Sequence, residues 1–185
     1  MPTTVAIIGA GPLGRWLALS AARAGYRVLL EDVMPTNLRH AQEALRAELG
    51  PDNLTNVAFV STIEDAVRQA DLVVDCVPDE LESKLEILWL LDRMAPPRTV
   101  LATPTTRLSI ADLANCTYRP EKVIAIAAEA SALSAGASSE INLRTTTRTS
   151  PETAALLDQF WRRLGFTPTF APDPAEPPPS LTVKP

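Results

Sequence analysis

Ten residues near the start, Val5-Ala6-Ile7-Ile8-Gly9-Ala10-Gly11-Pro12-Leu13-Gly14, constrain this chain more than any other stretch. Four apolar residues run straight into Gly-x-Gly-x-x-Gly. An apolar run that short, stopped by glycine, reads as a buried strand. Arg15 to Ala24 reads as a helix, with Gly25 as its stop. Strand, glycine turn and helix start make a phosphate-binding device. Gly9 permits the tight turn, Gly11 lets backbone approach a pyrophosphate, and Gly14 lets the helix pack on the strand. The helix start adds unpaired N–H groups and a partial positive charge. Pro12 suits the first helical turn, where its missing N–H would be unbonded anyway. Gly9, Gly11, Pro12, Leu13 and Gly14 are therefore expected to hold a dinucleotide.

The glycine pattern gains weight from its context. A second strand, Arg27 to Asp32, ends in acid, and Asp32 lies 18 residues past Gly14. The spacing expected for a ribose-binding carboxylate is about 20. Asp32, with Glu31 beside it, would repel a 2′-phosphate, so the expected cofactor is NAD rather than NADP.

The chain has 185 residues, enough for one good domain, and 46% of them are hydrophobic. A net charge of −5 argues against nucleic acid or an anionic membrane as a partner. No apolar stretch approaches the roughly 20 residues of a membrane-spanning helix. The first strand begins close to Met1, which leaves no room for a signal peptide. Cys76 and Cys116 lie far apart and in no metal- or redox-type motif, which reads as reduced, buried thiols in a cytoplasmic protein.

Further along, Leu38 to Leu49 has helical spacing and Gly50-Pro51-Asp52-Asn53 ends it. Val57 to Val60 is a strand, and Thr62 with Asp65 starts a short helix. Leu72 to Val77 is a nearly continuous apolar strand, as a parallel sheet buried on both faces requires. Glu80 to Met94 is a helix stopped by Pro96-Pro97, Thr99 to Ala102 a strand, Ser109 to Ala114 a short helix and Val123 to Ile126 a strand. Ala127 to Ser139 reads as loop, and Ile141 to Thr147 as a strand at a sheet edge. Ser150-Pro151 opens a helix to about Leu164, and Phe166 to Phe170 is a last short strand. Strands alternating with helices imply an α/β, Rossmann-type doubly wound, mainly parallel sheet with helices on both faces, in a single domain. That domain is expected over residues 1–171, with a proline-rich, flexible tail over 172–185.

The chain resembles the NAD-binding N-terminal domain of the 3-hydroxyacyl-CoA dehydrogenase family over about residues 4–172. Val5 to Gly14 matches the family's dinucleotide turn, and Val28 to Asp32 its second strand and ribose acid. Ala70 to Lys84 is similar to its strand, Pro-Glu-type turn and lysine-bearing helix. Leu101 to Ile110 is similar to its strand followed by Ser-Asn-Thr-Ser-Ser-Leu. The resemblance implies that Val77, Pro78, Asp79, Lys84 and Thr103 also face the cofactor, and that Thr106 falls on the serine that hydrogen-bonds substrate. It further implies oxidoreductase activity on a 3-hydroxyacyl group, such as an acyl-CoA of fatty acid metabolism.

The departures bear on catalysis. The family's Gly-Leu-His-Phe-Phe-Asn-Pro segment is here Ala125 to Ser131, with Ala127 in place of the catalytic histidine. Pro104 replaces the asparagine of the family's Ser-Asn motif. Glu140 corresponds to the glutamate that orients the histidine. Nothing after Pro172 resembles the family's helical C-terminal domain. Hydroxyl oxidation needs a base, and histidine suits because its pKa lies near neutrality. The one histidine, His40, belongs to the helix on the adenosine side. Glu129, two residues past Ala127, is the sharpest alternative base, against a plain reading as a solvated loop acid. Tyr118-x-x-x-Lys122 has the spacing of another dehydrogenase class, but Pro120 opposes the continuous helix it needs. Trp16, Trp89 and Trp161 read as packing residues. Three readings follow: an NAD-dependent hydroxyacyl oxidoreductase, an NAD(H)-binding module without chemistry that acts as sensor or partner subunit, and a catalytic half completed by a partner chain that brings a helical domain.

Overall fold

The computed structural model describes residues 3–128, 133 and 139–174, with backbone alone for 51–53. Strands β1 (Thr4–Ile8), β2 (Arg27–Glu31), β3 (Val57–Val60), β4 (Leu72–Asp75), β5 (Val100–Pro104), β6 (Val123–Ile126), β7 (Glu140–Thr145) and β8 (Thr167–Pro172) form one sheet. Its order is β3-β2-β1-β4-β5-β6-β7-β8. The first six are parallel; β7 runs antiparallel to β6, and β8 parallel to β7. After β3 the chain crosses back to place β4 on the other side of β1, so strand order reverses between β1 and β4. In an open α/β sheet a ligand crevice forms at that reversal, beyond the carboxyl ends of the strands.

Helices α1 (Pro12–Arg23), α2 (Pro35–Leu54), α3 (Ile63–Val67), α4 (Leu81–Met94), α5 (Ile110–Asn115) and α6 (Pro151–Arg163) cover both faces. Strand alternation sorts the core. Val5 and Ile7 join Leu17, Leu45, Leu157 and Trp161 on one face, under α1, α2 and α6. Ala6 and Ile8 join Ala66, Leu88, Leu91 and Leu113 on the other, under α3, α4 and α5. Capping follows the sequence: Thr62, Ser109 and Ser150 accept from Asp65, Asp112 and Thr153 N–H. Trp161 is fully buried, with Phe160 and Phe166 edge-on at 5.4 and 5.3 Å, and Trp16 meets Phe166 at 5.8 Å. Trp89 is the exposed one, with the Arg93 guanidinium 4.8 Å over its ring.

Three expectations change. Helix α2 starts at Pro35, earlier than expected; at Gly50 (φ 71°, ψ 170°) the backbone leaves helical geometry as expected, and a further helical stretch follows directly to Leu54. Strand β7 is interior, because β8 pairs with it along all of Glu140–Thr145. The expected tail start at Pro172 falls inside β8, an edge strand, where proline is tolerated. Beyond it Asp173 is 1% exposed. The rest of the proline-rich segment, from residue 175, lies outside the described residues.

Asp173 fastens the chain just beyond β8 to the 105–109 loop and the start of α5. It accepts hydrogen bonds from Ser109 Oγ (3.0 Å) and Ala111 N (3.1 Å) and lies 3.6 Å from Arg144 of β7. Arg144 in turn donates to the carbonyls of Thr105 and Leu108. Removing the carboxylate strands a buried guanidinium. Asp173→Ala is expected to lower stability by about 3–5 kcal/mol, measured as a shift in urea unfolding midpoint with unchanged slope.

Candidate dinucleotide site

A cleft of about 560 Å³ opens at the β1/β4 reversal. Gly9, Gly11 and Leu13 form one rim, Glu31, Asp32, Val33 and Asn37 a second, and Val77, Pro78 and Asp79 a third. Ile8, Ile63 and Ile87 make part of the wall, and Pro104 and Ala128 close the end toward β5 and β6.

The three glycines are required for three different reasons. Gly9 has φ +101°, and a Cβ there would lie 3.3 Å from the Cys76 carbonyl oxygen. A Cβ on Gly14 would sit 1.8 Å from the Gly9 carbonyl oxygen, so α1 can press this close only without a side chain. A Cβ on Gly11 would meet nothing within 4 Å. The protein's own packing therefore permits a side chain at Gly11; only a ligand lying against the turn would exclude one. Gly11 is the N-cap of α1 and Pro12 its first residue. The N–H groups that follow carry the partial positive charge of the helix start toward the cleft.

Asp32 is buried and fastens the turn. Its Oδ2 accepts from Ala10 N (2.8 Å) and Asn37 Nδ2 (3.0 Å), and its Oδ1 from Met34 N (2.8 Å). A carboxylate has about four acceptor sites, so one is left for a ribose hydroxyl. Asn37 has no signature in the sequence; its role appears only once α2 is seen to begin at Pro35. Burial, with Asp32 adding to it, pushes the Glu31 carboxyl up to about 7.

The third rim rests on a buried network. Asp75 accepts from Lys84 Nζ (3.0 Å) and Val77 N (3.1 Å) on one oxygen and from Thr103 Oγ1 (2.6 Å) on the other. Asp75, Lys84 and Thr103 are all 0% exposed. Lys84 and Thr103 thus stand behind the Val77–Asp79 turn and tie β4, α4 and β5 together. Neither they nor Pro12 and Gly14 line the cleft, whereas Gly9, Gly11, Leu13, Asp32, Val77, Pro78 and Asp79 do.

The 105–109 loop docks on this turn. Thr106 N donates to Asp79 Oδ2 (3.3 Å), and Arg107 to the Asp79 carbonyl (3.1 Å). Thr106 itself is exposed. Asp79 Oδ1 is buried without a partner among the described residues, an acceptor suited to a hydroxyl of a bound nucleotide. Open space at Gly11 and this orphaned oxygen are what a dinucleotide would fill.

Among the described residues, the proton-transfer candidates taken from the sequence are not gathered there. Ala127 donates its N–H to the Asn142 carbonyl (2.8 Å), and its neighbour Ala128 reaches the cleft. Glu140 opens β7 opposite Thr167 and is exposed. Glu129 lies outside the described residues. His40 is exposed on α2. Tyr118 is 89% exposed, and Lys122 ends a 3-10 turn, Pro120–Lys122, so the pair shares no helix. Both cysteines are free and only half buried; burial pushes the Cys76 thiol, in the cleft wall, well above its ordinary value, which leaves it protonated.

A model of the 3-hydroxyacyl-CoA dehydrogenase NAD-binding domain matches residues 4–173. The chain belongs to that family. It is 31% identical over 133 residues to a probable 3-hydroxybutyryl-CoA dehydrogenase of Bacillus subtilis, covering 65% of this chain and 46% of that one. It is 31% identical over 132 residues to 3-hydroxyadipyl-CoA dehydrogenase of Escherichia coli, covering 65% and 28%. The structure of 3-hydroxybutyryl-CoA dehydrogenase from Escherichia coli K12 superposes with a TM-score of 0.81 at 26% identity, over 94% of this chain and 39% of that one. The (S)-3-hydroxybutyryl-CoA dehydrogenase of Ralstonia eutropha gives 0.83 at 20%, over 94% and 64%, a likeness of fold alone. The chain spans less than half the length of these two curated relatives. It is an NAD-binding domain of Rossmann type. Among the described residues no helix is long and apolar enough to cross a membrane.

The glycines separate folding from binding. Gly14→Ala is expected to destabilise by more than about 4 kcal/mol, seen as loss of a cooperative thermal transition. Gly11→Val should melt like the native protein yet bind no NADH in calorimetry. The raised Glu31 pKa adds a pH signature. The folded state holds this proton more tightly than the unfolded chain, whose ordinary value is 4.5, so stability falls as pH rises through about 7. Urea unfolding across that window should show the decline in the native protein and not in Glu31→Leu.

Proposed function

We propose that this chain holds and orients NAD(H) for oxidoreduction of a 3-hydroxyacyl group, and that the proton acceptor for the hydroxyl comes from outside position 127. The observation that carries the reading is a cleft fitted for a dinucleotide beside an alanine at the family's histidine position. NAD, when bound, supplies the hydride acceptor. The residues of the chain do the rest of the binding. Gly11 and the start of α1 receive the pyrophosphate, the spare acceptor on Asp32 takes a ribose hydroxyl, and Asp79 takes a donor through its unpaired Oδ1. Thr106, whose N–H donates to Asp79, is the residue this reading assigns to a substrate oxygen. The names of the relatives support a 3-hydroxyacyl-CoA of fatty acid metabolism as substrate class. A partner chain that brings a helical domain belongs to this reading. Two free cysteines fit a reducing cytoplasmic location.

A second reading makes the chain an enzyme by itself, with Glu129 as base in place of the histidine. It is favoured by the position of Glu129 two residues beyond Ala127. Turnover of 3-hydroxybutyryl-CoA with NAD separates the two. Under the first reading the native protein binds NADH but turns over below detection, Glu129→Ala changes nothing, and Ala127→His raises the rate by about 10²-fold or more. Native turnover that Glu129→Ala abolishes establishes the second. Absence of NADH binding sinks both.

A further inference from the structure

Glu31 and Asp32 are adjacent, but their carboxyl groups serve different layers. Asp32 turns to Ala10 in the glycine turn and accepts three hydrogen bonds. Strand alternation puts Glu31 with Leu29, on the sheet face covered by α3. It is 5% exposed and lines the cleft beside the apolar wall of Ile8, Ile63 and Ile87. Its carboxyl has no hydrogen-bond partner among the described residues. A buried carboxyl against isoleucines is costly unless something bonds to it.

We propose that Glu31 binds the adenine ring of the dinucleotide, its carboxyl bonding the polar edge of the base while the isoleucine wall covers a ring face. The inference rests on the cleft being an NAD site. Adenine presents a donor, the N6 amine, next to a ring-nitrogen acceptor. A neutral carboxylic acid presents an acceptor next to a donor, so two matched bonds form. An ionised carboxylate offers acceptors only and would oppose the ring nitrogen. The surroundings favour the neutral form up to about 7. Asp32 beside it acts in that sense, and Asp79 lines another rim of the cleft. Lys84 is engaged by Asp75, the Cys76 thiol is protonated, and Glu64 and Asp65 of α3 are exposed against Arg68. Ribose is the poorer fit, because Asp32 already addresses it from the glycine-turn side.

The test titrates the full chain with NADH, with adenosine diphosphate and with reduced nicotinamide mononucleotide, which lacks the base. Glu31→Leu should weaken NADH and adenosine diphosphate by about 5- to 10-fold, the scale of a hydrogen bond or two, and leave the mononucleotide unchanged. Glu31→Gln keeps a donor beside an acceptor and should hold NADH within about 2-fold. Native affinity for NADH should fall between about pH 6 and about pH 8.5, and Glu31→Gln should remove that dependence. Unchanged NADH affinity in Glu31→Leu overturns the proposal while leaving the NAD site standing. So does an equal loss for all three ligands. A native protein that binds no NADH overturns the proposal and the site together.

Discussion

The approach of α1 to the Gly9 carbonyl is the constraint on which the rest depends. With no Cβ at Gly14, the first turn of the helix comes so close that any side chain would overlap backbone. That fixes where the helix start points. It also places Gly11 at the mouth of the cleft with open space before it. Asp32 then clamps the turn from the neighbouring strand through Ala10, and Asn37 holds Asp32. The binding surface is thus backbone set by packing, and a ligand need not organise it on arrival.

The opposite rim has a different foundation. Asp75, Lys84 and Thr103 form a dry polar knot inside an otherwise apolar region. Such a knot contributes little net stability, since desolvation offsets much of the attraction, but breaking half of it is costly. Its effect is geometric: it fixes the Val77–Asp79 turn relative to β5, and the 105–109 loop is built on that turn. The family's lysine is thereby retained as a support for the rim and not as a hand reaching into the cleft.

Much of this was legible in the sequence, and unevenly so. Apolar runs, glycine stops and caps at Thr62 and Ser150 act within a few residues, and the strands and helices they mark are present. The glycine turn, Asp32, Asp79 and the Rossmann-type architecture were readable for the same reason: each is a local pattern in a known context. What escaped were pairings between distant parts. Nothing local reveals that Asp75, inside an apolar strand, needs Lys84 and Thr103. Nor does it show that Arg144 and Asp173 lock the 105–109 loop, or that β8 makes β7 an interior strand. Glu31 looked like a companion to Asp32 against a 2′-phosphate; only strand alternation separates the layers the two residues serve.

The place of Asp173 has a topological consequence. Ordinarily a domain's last strand leaves the chain wherever the sheet edge happens to be. Here the final anchored carboxylate is bonded to Ser109 and Ala111, at the end of the loop whose other end rests on Asp79. The chain therefore leaves β8 beside the loop that docks on the cleft's third rim. The end of the sheet and one rim of the cleft thus share a single chain of fastenings, from Asp173 through the 105–109 loop to Asp79.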